Sequence, residues 1–163
     1  MSVEEGSIVP EPGERTTEST DEPAVDGYRG ALQRILSEFS AETATRLSRL
    51  SDAADDAGAG VEGIVVDVFV DQDGEGPFDV WARFEGRDAF VLDRRFDDRR
   101  HLFGVVWGED GWDPEVPSRP RGWTRDDLEA AVVDAVAEWI ELLLPAGAPA
   151  DRWCIGAPGE FFA

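Results

Sequence analysis

"VEGIVVDVFVDQDGEGPFDVWARFE" (Val61–Glu85) decides the fold, because apolar residues recur at every second position on both sides of a polar, glycine-containing centre: Ile64, Val66, Val68 and Val70 come before it. Alternation with a period of two is typical of a β-strand that buries one face. In the second half the alternate apolar residues are Phe78, Val80, Ala82 and Phe84. The stretch therefore predicts two strands joined by a short loop, which form an antiparallel hairpin.

Two further strands are predicted after this hairpin. "DAFVLDRRF" (Asp88–Phe96) places Phe90 and Leu92 on one face, and "HLFGVVWG" (His101–Gly108) is rich in apolar and β-branched residues. Four strands with short connections predict an antiparallel meander. The segment Glu109–Trp123 contains several prolines and glycines, which predicts a long irregular loop.

A helix is predicted on each side of the strands from apolar residues at three- and four-residue steps. The N-terminal helix begins near Tyr28 and is expected to stop in the glycine-containing segment Asp55–Gly60. The C-terminal helix begins after Thr124 as N-cap and ends before Pro145. The order of helix, four strands and helix predicts an α+β fold arranged as a two-layer sandwich.

The composition divides the chain into three regions. Residues 1–25 are rich in acids, serine, threonine and proline, which predicts a disordered acidic tail. Residues 26–150 are expected to form a single α+β domain. Residues 151–163 form an apolar C-terminal tail, and whether it docks on the domain or contacts another molecule is left open. No stretch resembles a signal peptide or is long enough to cross a bilayer, so we expect a soluble, cytoplasmic protein.

The charge balance restricts the partners of the protein. The chain has 36 acidic and 15 basic residues and a formal net charge of −21. Nucleic acids and anionic membranes are polyanions, so this charge argues against binding to either, and it favours a basic protein partner. All the basic residues are arginine, a composition typical of a high-GC bacterium. The single cysteine, Cys154, fits a reducing compartment.

The loop of the first hairpin has part of the spacing of a calcium-binding loop. Carboxylates stand at its first, third, fifth and ninth positions, namely Asp71, Asp73, Glu75 and Asp79. However, Ala82 replaces the glutamate expected at the twelfth position, and Pro77 breaks the expected backbone course. We therefore favour a polar hairpin turn and keep a calcium or small-ligand site at these four residues as the alternative.

Two other segments are candidates for binding. "DRRFDDRRH" (Asp93–His101) gathers four arginines and the only histidine, so it either binds a phosphate or carboxylate group or forms solvated ion pairs, which we favour. Three tryptophans flank or interrupt the long loop, namely Trp107, Trp112 and Trp123. Aromatic residues on loops are typical of protein interfaces, although one or two of them could pack on the core.

The chain lacks the motifs of common enzyme classes. It has no nucleophile elbow, no phosphate-binding loop, no dinucleotide-binding glycine motif and no zinc-protease motif. We therefore expect a non-enzymatic cytoplasmic interaction module without a cofactor. By analogy with immunity proteins that neutralise toxins, it would bind a basic partner. No pattern predicts the oligomeric state.

The segments "DQDGEGPFDVWARFEGRDAFVLDR" (Asp71–Arg94) and "HLFGVVW" (His101–Trp107) together resemble a small uncharacterised family associated with actinobacteria, classed as a domain of unknown function. The resemblance covers about residues 28–144. It implies no established activity, so it assigns no catalytic or binding residues to this chain.

Overall fold

The computed structural model describes residues 25–158, so the predicted acidic tail lies almost entirely outside the described residues. Along the chain the elements are α1 (residues 25–37), α2 (Ser40–Ala57), β1 (Gly63–Val70), β2 (Phe78–Glu85), α3 (Ala89–Phe96), β3 (His101–Gly104), β4 (Val106–Gly108), β5 (Gly111–Asp113), α4 (Arg125–Leu143) and β6 (Trp153–Gly156). None of the described helices is long and apolar enough to span a membrane.

The predicted hairpin forms the centre of the sheet. Strands β1 and β2 pair antiparallel from Gly63 opposite Glu85 to Val70 opposite Phe78. The alternate residues that face the helices are all buried, namely Ile64, Val66, Val68, Val70, Phe78, Val80, Ala82 and Phe84. Because the pleat turns every second side chain inward, the alternation in β2 fixes which of its faces is buried, whereas in β1 the outward Val65 and Asp67 are buried as well.

The helices cover this apolar face of the sheet. Side chains of α1, α2 and α4 enter one core with the inward residues of β1 and β2, and the fully buried members include Leu32, Leu47, Leu128, Val132 and Ile140. Polar contacts join the helices as well, since Trp139 Nε1 donates a hydrogen bond to Ser40 Oγ over 3.0 Å. The α+β fold and its two-layer arrangement are confirmed.

Helix α4 begins as the sequence predicts. The Thr124 hydroxyl accepts a hydrogen bond from the Asp127 N–H over 3.1 Å, and the Thr124 N–H donates to Asp127 Oδ2 over 2.9 Å. This reciprocal pair satisfies two backbone groups that would otherwise lack partners at the helix start.

The predicted N-terminal helix is interrupted once. Phe39 lies between α1 and α2, and its N–H donates to the Leu36 carbonyl over 2.9 Å. Its ring meets the edge of the Phe103 ring, with centroids 5.1 Å apart. The interruption therefore lets the Phe39 side chain pack against the core. Helix α2 then ends at Ala57, where Gly58 adopts a φ of 58°.

The predicted third strand, Asp88–Phe96, is wrong, because the structure places helix α3 there. Leu92 is buried, and Ala89 and Phe96 are partly buried against the core. These positions follow helical spacing, whereas Phe90 and Val91 are exposed.

The predicted antiparallel meander is therefore only partly correct. The sheet has the order β3-β2-β1-β6, in which β6 runs parallel to β1 and the other pairs are antiparallel. Residues Trp153–Gly156, which the sequence placed in the C-terminal tail, form this edge strand, and Trp153 lies opposite Ile64.

The predicted fourth strand is divided between two sheets. Strand β3 ends at Gly104, and β4 pairs with β5 in a separate two-stranded hairpin that places Trp107 opposite Trp112. The predicted irregular loop therefore contains a strand, Gly111–Asp113.

Candidate functional site

The sheet has a second face that the helices do not cover, and we call its outward residues the open face. Across three neighbouring strands, Asp67 lies opposite Trp81 and Trp81 lies opposite His101. A register shift between Val80 and Trp81 lets Leu102 and Phe103 both enter the core while His101 points outward. The open face thus combines aromatic and charged side chains on rigid strands.

His101 is held in place from several sides. Its ring stacks on Trp81 with centroids 4.5 Å apart, and its Nε2 lies 3.1 Å from Asp79 Oδ1. Its backbone carbonyl accepts a hydrogen bond from Arg46 Nη1 over 2.6 Å. The guanidinium of Arg100 lies 5.6 Å from the Trp81 ring, on which it makes a cation–π contact. These contacts fix the ring orientation, so His101 acts as part of a rigid surface.

A buried ion pair lies beside this stack. Arg83 Nε donates to Asp67 Oδ2 over 2.7 Å, and Arg83 also pairs with Glu85. Burial lowers the pKa of Arg83, but the hydrogen bonds and negative charges of Asp67 and Glu85 outweigh it and raise that pKa above its usual value. Asp67 is 5% exposed, and its Oδ1 has no hydrogen-bond partner among the described residues. Arg83 therefore remains a cation that neutralises a buried carboxylate.

An apolar cleft adjoins the open face where the β1–β2 loop meets the β4–β5 hairpin. The cleft has a volume of about 360 Å³, and its lining includes Phe69, Asp71, Asp79, Val106, Trp107 and Trp112. Trp107 is 76% exposed, Val106 62% and Phe69 43%. Large apolar side chains are seldom exposed together on a monomeric protein unless they contact something else.

The β1–β2 loop and the segment that follows β5 hold each other in position beside the cleft. The Arg119 N–H donates to the Glu75 carbonyl over 3.0 Å. Gly76 has a φ of +148°, and a Cβ atom there would lie 2.7 Å from the Pro117 carbonyl oxygen. Only glycine permits this approach, so the sequence at Gly76 allows the loops to pack closely.

The structure separates the three tryptophans that the sequence proposed as partner-binding residues. Trp107 and Trp112 line the cleft. Trp123 lies elsewhere and packs against Tyr28, with ring centroids 5.2 Å apart at an angle of 61°. The cleft therefore contains two of the three predicted residues, and their role in binding stays a prediction.

The predicted calcium ligands are spread along a turn. The Asp71 N–H donates to the Pro77 carbonyl over 3.1 Å, and the Gly74 N–H donates to the Asp71 carbonyl over 2.9 Å. Asp73 and Glu75 are exposed, whereas Asp71 and Asp79 are half-buried. Within residues 25–158, no three histidine, cysteine or carboxylate side chains are grouped to hold a metal ion. The polar turn stays the favoured prediction, and a calcium or small-ligand site at Asp71, Asp73, Glu75 and Asp79 stays the alternative.

The arginine-rich segment is partly structural. Asp93 Oδ1 accepts a hydrogen bond from the Phe84 N–H over 2.9 Å, and Arg100 Nη1 donates to the Ala82 carbonyl over 3.0 Å. These side chains complete the edge of β2 beyond Trp81, where the pairing with the first residue of β3, His101, stops. Burial raises the pKa of Asp93, although the Phe84 N–H and the charge of Arg100 oppose it.

Sequence reasoning missed the open face. The sequence does contain an indication of it, because the charged residue Asp67 interrupts the apolar strand "GIVVDVFV" at an outward position. Arg83 stands at an outward position of the neighbouring strand. Once the hairpin register is known, the two residues are expected to meet on one face.

Comparison with known proteins gives a family but no activity. No curated protein matches the chain, and no solved structure matches it either. A family model matches residues 24–160, which include all ten elements described above. This match confirms the resemblance to an uncharacterised family, and the chain belongs to the family of unknown function DUF6389.

Proposed function

We propose that the protein is a non-enzymatic, cytoplasmic interaction module that binds a basic protein through the apolar cleft and the adjoining open face. The observation that carries this proposal is the exposure of Trp107 beside Val106 and Phe69 at the rim of one cleft. Tryptophan is enriched among the residues that contribute most to protein–protein binding, and truncating such a residue typically costs about 2 kcal/mol or more.

The charges around the cleft favour a cationic partner. Asp71 and Asp79 line the cleft, and Glu109 and Asp110 form the exposed turn of the β4–β5 hairpin. A lysine or arginine of the partner could pair with these carboxylates while its methylene groups pack on Trp107. The net charge of −21 would also accelerate the encounter with a basic protein.

Site-specific crosslinking tests the location of the interface. A photoreactive amino acid replaces Trp107, and a matched variant carries it at Phe90, which is 70% exposed on α3. After irradiation in a lysate of the cells that produce the protein, we expect an adduct from the Trp107 position that the Phe90 position does not give. Mass spectrometry should identify a protein of high isoelectric point. Equal adducts from both positions, or an adduct that contains only a second copy of this chain, would contradict the proposal.

The purified partner then allows a quantitative test. Trp107→Ala should weaken binding at least about tenfold, because about 1.4 kcal/mol corresponds to a factor of ten. Phe90→Ala, the matched control, should leave the affinity unchanged. Raising the salt concentration should slow association, since the attraction between opposite charges is screened. If Trp107→Ala leaves the affinity unchanged and salt leaves the association rate unchanged, the cleft is not the interface.

A further inference from the structure

We infer that a second pocket, which is lined by arginines and is separate from the apolar cleft, binds a small phosphate monoester. This arginine pocket lies between α2 and the segment that follows α3, and it has a volume of about 270 Å³. Its lining residues are Glu42, Thr45, Arg46, Arg49, Phe96 and Arg99. It shares none of these residues with the apolar cleft, so the inference is independent of the proposed function.

The sequence brings the cationic groups together from two elements. Arg46 and Arg49 are three residues apart on α2, which places them on one side of that helix. Phe96 ends α3, and Arg99 lies in the short 3-10 helix Asp97–Arg100. The pocket therefore has one wall of α2 and one wall from the segment after α3.

Arg46 forms a fixed part of this pocket. Its Nη2 lies 2.7 Å from Glu42 Oε2, and its Nη1 donates to the His101 carbonyl over 2.6 Å. The charge of Arg46 is thus neutralised by Glu42, and its position is set by the start of β3.

The other two arginines have no such compensation. Neither Arg49 nor Arg99 has a carboxylate within 4.0 Å among residues 25–158. Two uncompensated guanidinium groups in one pocket match the two negative charges of a phosphate monoester, whereas a carboxylate would neutralise only one.

Phe96 indicates what the phosphate is attached to. The guanidinium of Arg99 lies 5.0 Å from the Phe96 ring centroid, and the same ring packs at 5.8 Å from Phe84. Phe96 is therefore anchored to the core while part of its surface faces the pocket. An apolar or aromatic substituent on the phosphate would pack against it. The volume is slightly below the roughly 300–1,000 Å³ of typical ligand sites, which favours a small molecule.

The net negative charge of the protein does not prevent such binding. At physiological ionic strength, charges more than about 8 Å away are largely screened. Among the lining residues, three arginines outnumber the one carboxylate, that of Glu42, so the lining itself carries a net positive charge.

Calorimetric titration with phenyl phosphate, inorganic phosphate, benzoate and phenol tests the site. We expect saturable binding of phenyl phosphate, weaker binding of inorganic phosphate, and at least about tenfold weaker binding of benzoate, as the loss of one charged hydrogen-bonded contact predicts. Arg49→Gln and Arg99→Gln should each reduce the affinity for phenyl phosphate about tenfold or more. These exposed substitutions should leave the melting temperature nearly unchanged.

Arg94→Gln is the matched control. Arg94 is also exposed and makes a similar contact, 5.6 Å above the Phe90 ring, but it does not line the pocket. An equal loss of affinity in Arg94→Gln would overturn the assignment, as would no saturable binding of phenyl phosphate at millimolar concentration. Benzoate that binds as tightly as phenyl phosphate would do the same. A phosphotyrosyl peptide that binds more than tenfold tighter than phenyl phosphate would assign the pocket to a protein partner instead.

Discussion

Tyr28 carries a hydroxyl group that is buried without a hydrogen-bond partner among the described residues. Burial raises the pKa of Tyr28 to about 12, because a phenolate in the interior loses its hydration. The side chain is 5% exposed and is fixed by its contact with Trp123. The packing of α1 is therefore linked to the protonation state of the Tyr28 phenol.

The chain has one tyrosine, so its ionisation can be followed directly by absorbance near 295 nm. We expect the folded protein to titrate with a midpoint near 12, and the unfolded chain near 10. Since the folded pKa is the higher one, the neutral phenol contributes stability below pH 10 that is lost as the pH rises towards 12. The loss amounts to about 3 kcal/mol for two pKa units.

Tyr28→Phe is the control for this titration. It should abolish the absorbance change and remove the extra loss of stability above pH 10. At neutral pH its free energy of unfolding should equal or exceed that of the native chain, because no hydrogen bond is lost. A midpoint near 10 before unfolding would show that the hydroxyl is hydrated.

At the scale of single residues, the sequence could predict residue types for binding but not which of them bind. Trp107 and Trp123 flank the same loop and are chemically identical. Trp123 is half-buried because Tyr28 of α1 packs beside it, whereas Trp107 is exposed on the β4–β5 hairpin. That difference arises from packing between distant elements, which no local pattern contains.

Among the elements, helix α3 shows how a short apolar pattern misleads. Phe90 and Leu92 alternate as in a strand, but Ala89, Leu92 and Phe96 have helical spacing. Eight residues are too few for periodicity to decide between the two. The helix forms because its Leu92 face closes the core, and Asp93 of the same helix satisfies the edge of β2.

The turn between β2 and α3 depends on Gly86. This residue has a φ of +126°, and a Cβ atom there would lie 2.5 Å from the Gly60 carbonyl oxygen. Gly86→Ala should therefore lower the free energy of unfolding by about 3 kcal/mol, from backbone strain and from overlap with the segment before β1. Urea denaturation followed by circular dichroism measures the effect.

Gly30→Ala is the matched control for this substitution. Gly30 lies inside α1, and a Cβ atom there would meet nothing within 4 Å. It should raise the free energy of unfolding by about 0.5–1 kcal/mol, because alanine has the higher helix propensity. If the two variants were equally stable, close packing at Gly86 would have no energetic consequence.

The β1–β2 loop also permits a direct test of calcium binding. A polar turn closed by its own backbone predicts no saturable heat when calcium is titrated to millimolar concentration. Saturable heat that disappears in Asp73→Asn and in Glu75→Gln would establish the alternative site. Asp126→Asn, on the first turn of α4, serves as the control because it removes one carboxylate outside the loop.

At the scale of the whole molecule, the net charge of −21 opposes compactness. Repulsion among the acidic residues is larger in the folded state, where charges are closer together, and salt screens it. We expect the melting temperature to rise between 20 mM and 500 mM sodium chloride, by about 3 °C for each kcal/mol of repulsion removed. Differential scanning calorimetry measures the rise, and a melting temperature that falls would show that surface ion pairs dominate.

The overall architecture was predictable where it depends on neighbouring residues. The β1–β2 hairpin and the capped start of α4 follow from local alternation and from Thr124 with Asp127. Strand β6 was not predictable, since "WCIG" has four residues and its partner lies far away in the sequence. The same holds for the apolar cleft, which requires the β1–β2 loop and the β4–β5 hairpin to meet.

The parallel pairing of β1 with β6 has a consequence for the order in which the protein is completed. Ile64 and Trp153 become partners only after β2, α3, β3, β4, β5 and α4 have been made between them, which raises the contact order and slows folding. During translation, β1 and β2 leave the ribosome well before β6. Until β6 follows, the edge of β1 that pairs with it has no partner. An unpaired edge can recruit a foreign strand. The nascent chain is therefore exposed to misassembly at this edge until β6 emerges.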